Sequence, residues 1–322
     1  MLRVHSLIAA VAGATLVFAA PAAAQDYPAK PVRIVIPFAP GGLNDIAARV
    51  MATHLTEKLG KQFIPENRTG AGGVVGTEMV ANAAPDGYTL GIVSIANPVQ
   101  PVLYKLNYDG RNGFIPIALF ITSANMLAVN PDLPAKTAKE FVALAKAKPG
   151  SIYYASGGTG GALHLGMELF KLLTKIDVVH VPFRGAGPGT IDVIAGNTKA
   201  VIASASSLSS HVKGGKLRGL AVASDKRLPA FPDVPTFAEA GFPEYSGGNW
   251  IGLAAPKGTP KAIIDLLNKE IAAIQDKPEV QKQFADRGAQ IVKMTQPQFE
   301  KFYHSEFELW GKVVKEAGIK AQ

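Results

Sequence analysis

The stretch that decides the fold runs Val32-Arg33-Ile34-Val35-Ile36-Pro37-Phe38-Ala39-Pro40-Gly41-Gly42-Leu43-Asn44-Asp45. Its β-branched start, Val32 to Ile36, predicts a buried strand. After a turn rich in proline and glycine, Ile46 to Leu59 repeats apolar residues every four positions and predicts a helix, which Gly60 would end. A buried strand, a glycine turn and a helix in succession are the building unit of an α/β protein.

The same alternation continues along the chain and predicts the fold class. Apolar runs predict further strands at Tyr88 to Val93, Met126 to Val129, Ile152 to Ala155, Val178 to Pro182, Ala200 to Ser204, Leu217 to Val222 and Trp250 to Ala255. Helical patterns occur at Ala138 to Lys146, Ala162 to Leu173, Pro260 to Ile274 and Pro297 to Ala317. We therefore expect mostly parallel sheets with helices on both faces, and no strand between the last two helices.

Length and composition set the broad class. The 322 residues predict about two domains, and 48% apolar with 18% charged residues excludes a disordered chain. Cysteine is absent, which excludes cysteine-ligated zinc, disulfides and Cys–His catalysis. The formal net charge is +8, but the basic residues form no run of five and are not interleaved with aromatic side chains. A nucleic-acid partner is therefore not expected.

Residues 1–24 carry the pattern of a cleaved secretory signal peptide. Arg3 supplies the positive start, Leu7 to Ala20 is apolar, and Ala22-Ala23-Ala24 forms a small-residue cleavage site before Gln25. An uncleaved membrane anchor is the alternative, although the apolar run is short for a span of roughly 20 residues. Export with cleavage is the expectation.

Three glycine-rich turns between a strand and a helix carry the functional signal: Pro37 to Asp45, Ala155 to His164 and Pro182 to Thr190. Each turn directs free backbone N–H groups and a positive helix end toward the space above the strand ends. Such groups hold a carboxylate or a phosphate without a buried lysine, and ligands of open α/β sheets bind at these strand ends. A single glycine turn is common for conformational reasons alone. Three in one chain indicate an anion site.

Nucleotide and catalytic motifs are missing. The sequence has no G-x-x-x-x-G-K-[ST] loop, and the G-x-G at Gly158 to Gly160 lacks the third glycine, so no phosphate cofactor is expected. Tyr154 stands where a nucleophile elbow at Ser156 would need glycine, and no two histidines have the spacing of a helical zinc pair. His164 could serve Ser156 as a base, but a role in capping or lining the second turn is the favoured interpretation.

Several stretches along the mature chain form a recognisable set. They are Tyr27 to Arg33, Pro37 to Gly42, Glu66 to Arg68 with Gly70 to Gly73, Pro85 to Leu90, His180 to Gly185, Arg227 with Pro232 to Thr236, Glu239 with Gly241, and Ala255 to Pro260. In this order and spacing they resemble the periplasmic substrate-binding receptors of tripartite tricarboxylate transporters, the Bug or TctC family.

The resemblance implies a fold and a function. The fold is α/β, a two-lobed type II periplasmic-binding-protein fold with two crossover segments and a central ligand cleft. The implied division is a signal peptide at 1–24, a first lobe at 25–124, a second lobe at 125–221, and a return to the first lobe at 222–322. The implied function is capture of a small organic carboxylate (a di- or tricarboxylate or an aromatic acid) and delivery to membrane permease subunits. Neither enzymatic activity, a cofactor nor a metal is implied, and a monomer fits the role.

The family binds its ligand against the first turn, the second-lobe turn and the loop after the third strand, mainly through backbone amides and partly through water. The ligand-binding residues implied here are Phe38, Gly41, Gly42, Asn44, Asp45, Ala96, Asn97, Ser156, Gly157, Gly158, Thr159, Gly160, His164, Arg184 and Ser204. Asn44 stands where family members often carry Ser or Thr. The ligand group at that position is therefore expected to differ.

Some roles stay open at this stage. Asp45 is a helix N-cap or a partner for a ligand amine or hydroxyl, with the cap favoured. Arg184 is a bidentate carboxylate clamp or a salt-bridge residue, and Trp250 stacks on a ligand or, preferably, packs between the lobes. Two other functions also remain: a periplasmic hydrolase using Ser156 and His164, and a ligand sensor for a two-component system.

Overall fold

The computed structural model describes residues 27–245, 247–316 and 318–320, so the predicted signal peptide lies outside the described residues. The strands are β1 (Val32–Ile36), β2 (Phe63–Asn67), β3 (Thr89–Ser94), β4 (Phe114–Val129), β5 (Tyr153–Ser156), β6 (Val179–Pro182), β7 (Ala200–Ser204), β8 (Arg218–Val222), β9 (Gly248–Pro256) and β10 (Ala289–Ile291). The helices are α1 (Leu43–Leu59), α2 (Val74–Ala81), α3 (Ala96–Leu103), α4 (Ala138–Ala147), α5 (Ala162–Thr174), α6 (Ala186–Ala195), α7 (Ala205–Lys213), α8 (Lys261–Gln275), α9 (Pro278–Ala285) and α10 (Gln296–Glu316). None of these helices combines the length and the apolar character that a bilayer crossing needs.

The first lobe is built on a mixed sheet, in which β1 lies between β2 and β3. Both neighbours run parallel to β1, whereas β9 is antiparallel to β3 and to β4, and β10 is antiparallel to β4. The expectation of mostly parallel sheets is therefore wrong. The chain comes back from the second lobe and inserts β9 in the opposite direction, which strand–helix alternation in the sequence does not indicate.

The second lobe shares β4 with the first. The first part of β4 pairs with β9, and Asn125 to Val129 pairs with β7. Beyond β7, the strands β5 and β6 follow in parallel, and β8 pairs with the same end of β4. The chain crosses between the lobes along β4 and returns between β8 and β9.

Two elements depart from the expected boundaries. Strand β4 begins at Phe114, earlier than the predicted start at Met126. Proline argues against a central strand in a sequence, but the structure accommodates Pro116 at an irregularity of the ladder between β4 and β9. Between the last two long helices the chain forms α9 and β10, contrary to the expectation of no strand there. Strand β10 has only three residues, too few for a periodic signal.

The apolar core supports the first glycine turn from below. Ile34 and Ile36 of β1 are fully buried, as are Met51 and Leu55 on the inner face of α1. Gly60 ends α1 as predicted, with φ of 69° and its N–H donated to the carbonyl of Thr56. This packing holds the start of α1 at the carboxyl end of β1, where the cleft lies.

The two lobes touch each other across the cleft. The N–H of Ala39 donates to the carbonyl oxygen of Arg184 at 3.0 Å, and the Tyr104 hydroxyl donates to that of Thr159 at 2.9 Å. Gly187 of α6 packs against the first turn so closely that a Cβ there would lie 2.2 Å from the Pro40 carbonyl oxygen. The structure is thus a closed arrangement.

We expect Gly187→Ala to hold the lobes apart without unfolding either one. Its φ is not in the left-handed region, so alanine causes no backbone strain, and the clash with Pro40 exists only when the lobes meet. Because the chain has no cysteine, spin labels at Lys61→Cys and Lys148→Cys can report the distance between the lobes. The distance distribution should move to longer values, with an unchanged melting temperature in the absence of ligand.

The matched control is Gly311→Ala in α10, where a Cβ meets nothing closer than 3.9 Å. It should leave the distance distribution as it is in the parent. Equal distributions for Gly187→Ala and the parent would show that the contact between α6 and the first turn does not govern closure.

Candidate functional site

A cavity of about 40 Å³ lies between the lobes, where α1, α5, α6 and α7 begin. It is lined by Phe38, Gly42, Leu43, Asn44, Ser94, Gly157, Gly161, Ala162, Leu163, Ala186, Ser204, Ser207 and Asn249. None of these residues has a charged side chain. The polar groups of the cavity are therefore backbone amides, serine hydroxyls and two asparagine amides.

The structure brings five of the predicted site residues to the cavity wall: Phe38, Gly42, Asn44, Gly157 and Ser204. The others do not line it: Gly41, Asp45, Ala96, Asn97, Ser156, Gly158, Thr159, Gly160, His164 and Arg184. Most of the residues that do not line the cavity form hydrogen bonds within their own lobe. Ligand contact by any of the fifteen stays a prediction.

The first turn presents the start of α1 to the cavity. Gly42 is the N-cap residue in extended conformation, and no side chain caps the helix. The N–H groups of Leu43 and Asn44 have no intrahelical partner, because the first helical bonds come from Asp45 and Ile46. Two donors and a positive helix end therefore face the cavity from the first lobe.

Asp45 does not cap α1, so that interpretation is wrong, and it does not line the cavity; its contact with a ligand amine or hydroxyl stays a prediction. Its carboxylate accepts hydrogen bonds from the Gly41 N–H at 3.1 Å, Arg49 Nε at 3.0 Å and Asn67 Nδ2 at 3.1 Å. Burial alone would raise the pKa of Asp45, but the hydrogen bonds from Arg49, Gly41 and Asn67 outweigh it and hold that pKa below its ordinary value. The ionised carboxylate fixes the shape of the turn from behind.

The second turn uses most of its own N–H groups internally. Gly158 donates to Ser156 Oγ at 3.1 Å, Gly160 to His164 Nδ1 at 3.2 Å, and Gly161 to the Gly158 carbonyl at 3.1 Å. The free donors lie one residue further on, at Ala162 and Leu163, because the first helical bond of α5 comes from Leu165. The free N–H groups at the α5 start that face the cavity are therefore those of Ala162 and Leu163.

Arg184 lies outside the cavity. Its side chain is exposed and makes no ion pair with another residue in the described ranges, so the structure shows neither a clamp on the cavity nor a salt bridge. It borders a separate space of about 280 Å³ with Gly70 to Gly73 and Tyr104. Phe38 and Gly157 line both spaces and separate them.

The loop after β3 reaches the cavity through Ser94. Asn97 Oδ1 accepts a hydrogen bond from the Ser94 N–H at 2.8 Å, and the Ala96 N–H donates to Ser94 Oγ at 3.4 Å. Asn97 and Ala96 therefore shape this loop from behind the lining.

Trp250 packs against α10 and not between the lobes. Its Nε1 donates to Glu306 Oε2 at 2.7 Å, and its ring meets Phe299 and Phe302 edge to face. A bound aromatic ligand in the cavity would not reach this ring, because Trp250 is absent from the lining.

Sequence reasoning did not assign Leu43, Gly161, Ala162, Leu163, Ala186, Ser207 or Asn249 to the site. For the residues at helix starts a signal existed, because the free N–H groups belong to the first helical residues and not to the glycines before them. For Asn249 no local signal existed. It comes to the cavity only because β9 pairs with β4 at the crossing.

Ser156 pairs with a different histidine from the expected one. Ser156 Oγ lies 2.5 Å from His180 Nε2, and Ser156 is fully buried. The His180 ring stacks between Tyr154 at 5.1 Å and His164 at 4.0 Å. The Ser156–His164 pair of the hydrolase alternative is therefore not formed, and the two histidines support the second turn from inside.

Burial is the main cause that lowers the pKa of both histidines to about 4. For His180 the neighbouring His164 lowers the pKa further, while Glu168 acts in the opposite direction on both rings. Glu168 accepts hydrogen bonds from Lys171 Nζ at 2.9 Å and from the Tyr154 hydroxyl at 2.7 Å. The positive charge of Lys171 lowers the pKa of both histidines by a smaller amount. Both rings are therefore neutral at pH 7.

This cluster predicts a loss of stability in mild acid. The folded-state pKa lies below the ordinary 6.5 of the unfolded chain, so the unfolded state binds more protons as pH falls from about 6.5 to 4. The melting temperature should be highest above pH 6.5 and should fall as the pH decreases from about 6.5 to 4. His180→Gln, which keeps an acceptor for Ser156, should remove about 1 kcal/mol of the loss between pH 7 and 5, after allowance for partial exposure.

The measurement is the melting temperature of parent and variant at matched ionic strength. His304→Gln is the control, because that residue lies on α10, away from the cluster. Parallel pH profiles for the parent and His180→Gln would contradict a buried neutral histidine pair.

Comparison with known proteins shows which family has this sequence. A family model for the tripartite tricarboxylate transporter family receptor matches residues 47–319. BugT of Bordetella pertussis (strain Tohama I) is 37% identical over 324 residues, which cover 99% of this chain and 98% of that protein. The sequence resemblance is thereby confirmed.

Solved structures agree with the fold. Rpa4515 of R. palustris with adipate gives a TM-score of 0.88 at 31% identity, covering 92% of this chain and 99% of that one. MatC (Rpa3494) of Rhodopseudomonas palustris with bound malate gives a TM-score of 0.85 at 31% identity, covering 89% and 100%. The two-lobed periplasmic-binding-protein fold is therefore confirmed, and the chain belongs to the family of tripartite tricarboxylate transporter receptors.

Proposed function

We propose that the chain is a periplasmic receptor that captures a small organic carboxylate between its lobes and delivers it to the membrane permease of a tripartite transporter. One observation carries the proposal: N–H groups at the starts of α1 and α5, from opposite lobes, face a single cavity without charged side chains. The ligand would complete the closed arrangement by accepting hydrogen bonds from both lobes.

A carboxylate suits this cavity on electrostatic grounds. Each helix start carries a positive partial charge of roughly half an elementary charge, and the free N–H groups of Leu43, Asn44, Ala162 and Leu163 extend it. A carboxylate accepts about four hydrogen bonds and donates none. Exclusion of water by closure strengthens these bonds. The relatives solved with adipate and malate support the same class of ligand.

The proposal includes binding without turnover, by a monomer. The full burial of Ser156 behind the second turn supports the first part, because no substrate bond in the cavity would reach its hydroxyl. Export is supported by the signal-peptide pattern of residues 1–24 and by the periplasmic role of the family. We further propose lobe boundaries near residues 124 and 221.

A screen of carboxylic acids by thermal unfolding tests the proposal. Mono-, di-, tri- and aromatic carboxylates at millimolar concentration should include at least one that raises the melting temperature by about 5 °C or more, because a ligand that binds only the folded state stabilises it. No shift with any acid would contradict a carboxylate receptor, and a turnover product would contradict binding without chemistry.

Ala162→Pro tests the contribution of α5. Proline is tolerated at the first helical position, and Gly161 before it is extended, so the change removes one N–H donor without breaking the helix. The affinity for the acid found in the screen should fall at least tenfold, as measured by calorimetry, because hydrogen bonds to a charged group contribute about 1.5–3 kcal/mol.

Lys261→Pro is the matched control, since Lys261 is the exposed first residue of α8, far from the cavity. Its affinity should equal that of the parent. If both proline variants bind as the parent does, the start of α5 does not hold the ligand.

A further inference from the structure

Two asparagines in the cavity wall have unpaired amides. Asn44 on the first turn of α1 and Asn249 on β9 are 8% and 7% exposed, and both line the cavity. The Oδ1 atom of each is buried and has no hydrogen-bond partner. Neither side-chain amide bonds another described residue, including the serine hydroxyls of the same cavity. Buried polar groups are nearly always paired, so these amides indicate a ligand that pairs them.

A plain carboxylate cannot pair their oxygen atoms directly. An ionised carboxylate only accepts hydrogen bonds, which suits the N–H groups at the helix starts. An amide has an acceptor oxygen at one end and donor hydrogens at the other. In the orientation of the structure, each amide oxygen is buried and has no donor within hydrogen-bond distance among the described residues. A ligand that pairs these oxygens directly must therefore donate at least one hydrogen bond in addition to accepting several.

The lining of the cavity also favours an uncharged donor. No acidic side chain among the described residues lines the cavity. The nearest carboxylate on the first turn, Asp45, is occupied by Arg49, Asn67 and the Gly41 N–H. An ammonium group would therefore have no protein counter-charge, and its desolvation would be offset only by the ligand's own carboxylate. A hydroxyl group donates without that cost.

We propose that the ligand is a compact hydroxy acid, whose carboxylate is held by the starts of α1 and α5 and whose hydroxyl donates to Oδ1 of one asparagine, Asn44 or Asn249, and accepts from Nδ2 of the other. This rests on the proposed function, since it assumes that an acid occupies the cavity. The cavity of about 40 Å³ favours a short acid over a long one. The backbone of Asn249 is fixed on the crossing strands, where it pairs with Ser123 of β4.

Calorimetric titration with pairs of acids of equal charge tests this inference. The pairs are lactate with propionate, 3-hydroxybutyrate with butyrate, and malate with succinate. In the pair that binds best, the hydroxy acid should bind at least tenfold tighter, because a site built to hydrogen-bond a hydroxyl rejects the analogue without one. The amino acids alanine and aspartate should bind no tighter than propionate and succinate.

Substitution of the two amides supplies the second measurement. Asn44→Leu and Asn249→Leu should weaken the hydroxy acid about tenfold and leave the plain acid equal or tighter. Asn125→Leu is the matched control, since Asn125 also has a buried, unpaired Oδ1 but does not line the cavity. It should preserve the preference for the hydroxy acid, and thermal unfolding of each variant without ligand checks that it is folded.

The outcomes separate this inference from the proposed function. If plain acids bind as tightly as their hydroxy partners, the hydroxy-acid inference is overturned while the carboxylate receptor stands. The same holds if the ammonium acids bind best. If no acid of any kind binds, the receptor proposal itself fails. The titrations of the parent chain decide the matter even where a leucine variant does not fold.

Discussion

Unpaired backbone N–H groups at two helix starts, brought face to face by lobe closure, are the constraint on which the site depends. A buried donor without a partner is costly, so the closed arrangement favours an acceptor between Leu43 and Asn44 on one side and Ala162 and Leu163 on the other. In the part of the chain that the structure describes, no charged side chain lines the cavity, so the helix ends provide its positive potential. The anion is in this way coupled to closure, because neither lobe alone presents all four donors.

Some N–H groups of the glycine turns form hydrogen bonds within the turns, and others are left free for a ligand. In the second turn, Gly158 and Gly160 donate to Ser156 and His164, and in the first turn Gly41 donates to Asp45. These internal bonds hold the turns in the shape that leaves the next N–H groups free. Buried titratable side chains are thus part of the support of the site. The neutral state of His164 and His180 keeps that support intact at pH 7.

Much of the architecture followed from the sequence, and the errors have physical causes. The strands at Val32 to Ile36 and Ala200 to Ser204 lie where their apolar runs predicted them. The antiparallel insertion of β9 was missed because strand direction depends on the path of the whole chain. In the site, the first two glycine turns reach the cavity, and the free N–H groups at the helix starts lie one or two residues after the glycines from which ligand contact was predicted. Which N–H groups remain free depends on side chains such as His164, whose partner could not be read from spacing.

What the sequence alone determined is local: the strand–turn–helix units, the end of α1 at Gly60, and the family to which the ordered motifs point. These follow from periodicity, from glycine's access to positive φ, and from short contiguous patterns. Only the tertiary structure decided which groups share the cavity. Asn44 and Asn249 are separated by the whole second lobe along the chain, and they meet because β9 returns beside β4. Contacts of that range depend on strand pairing and lobe closure, for which no local pattern exists.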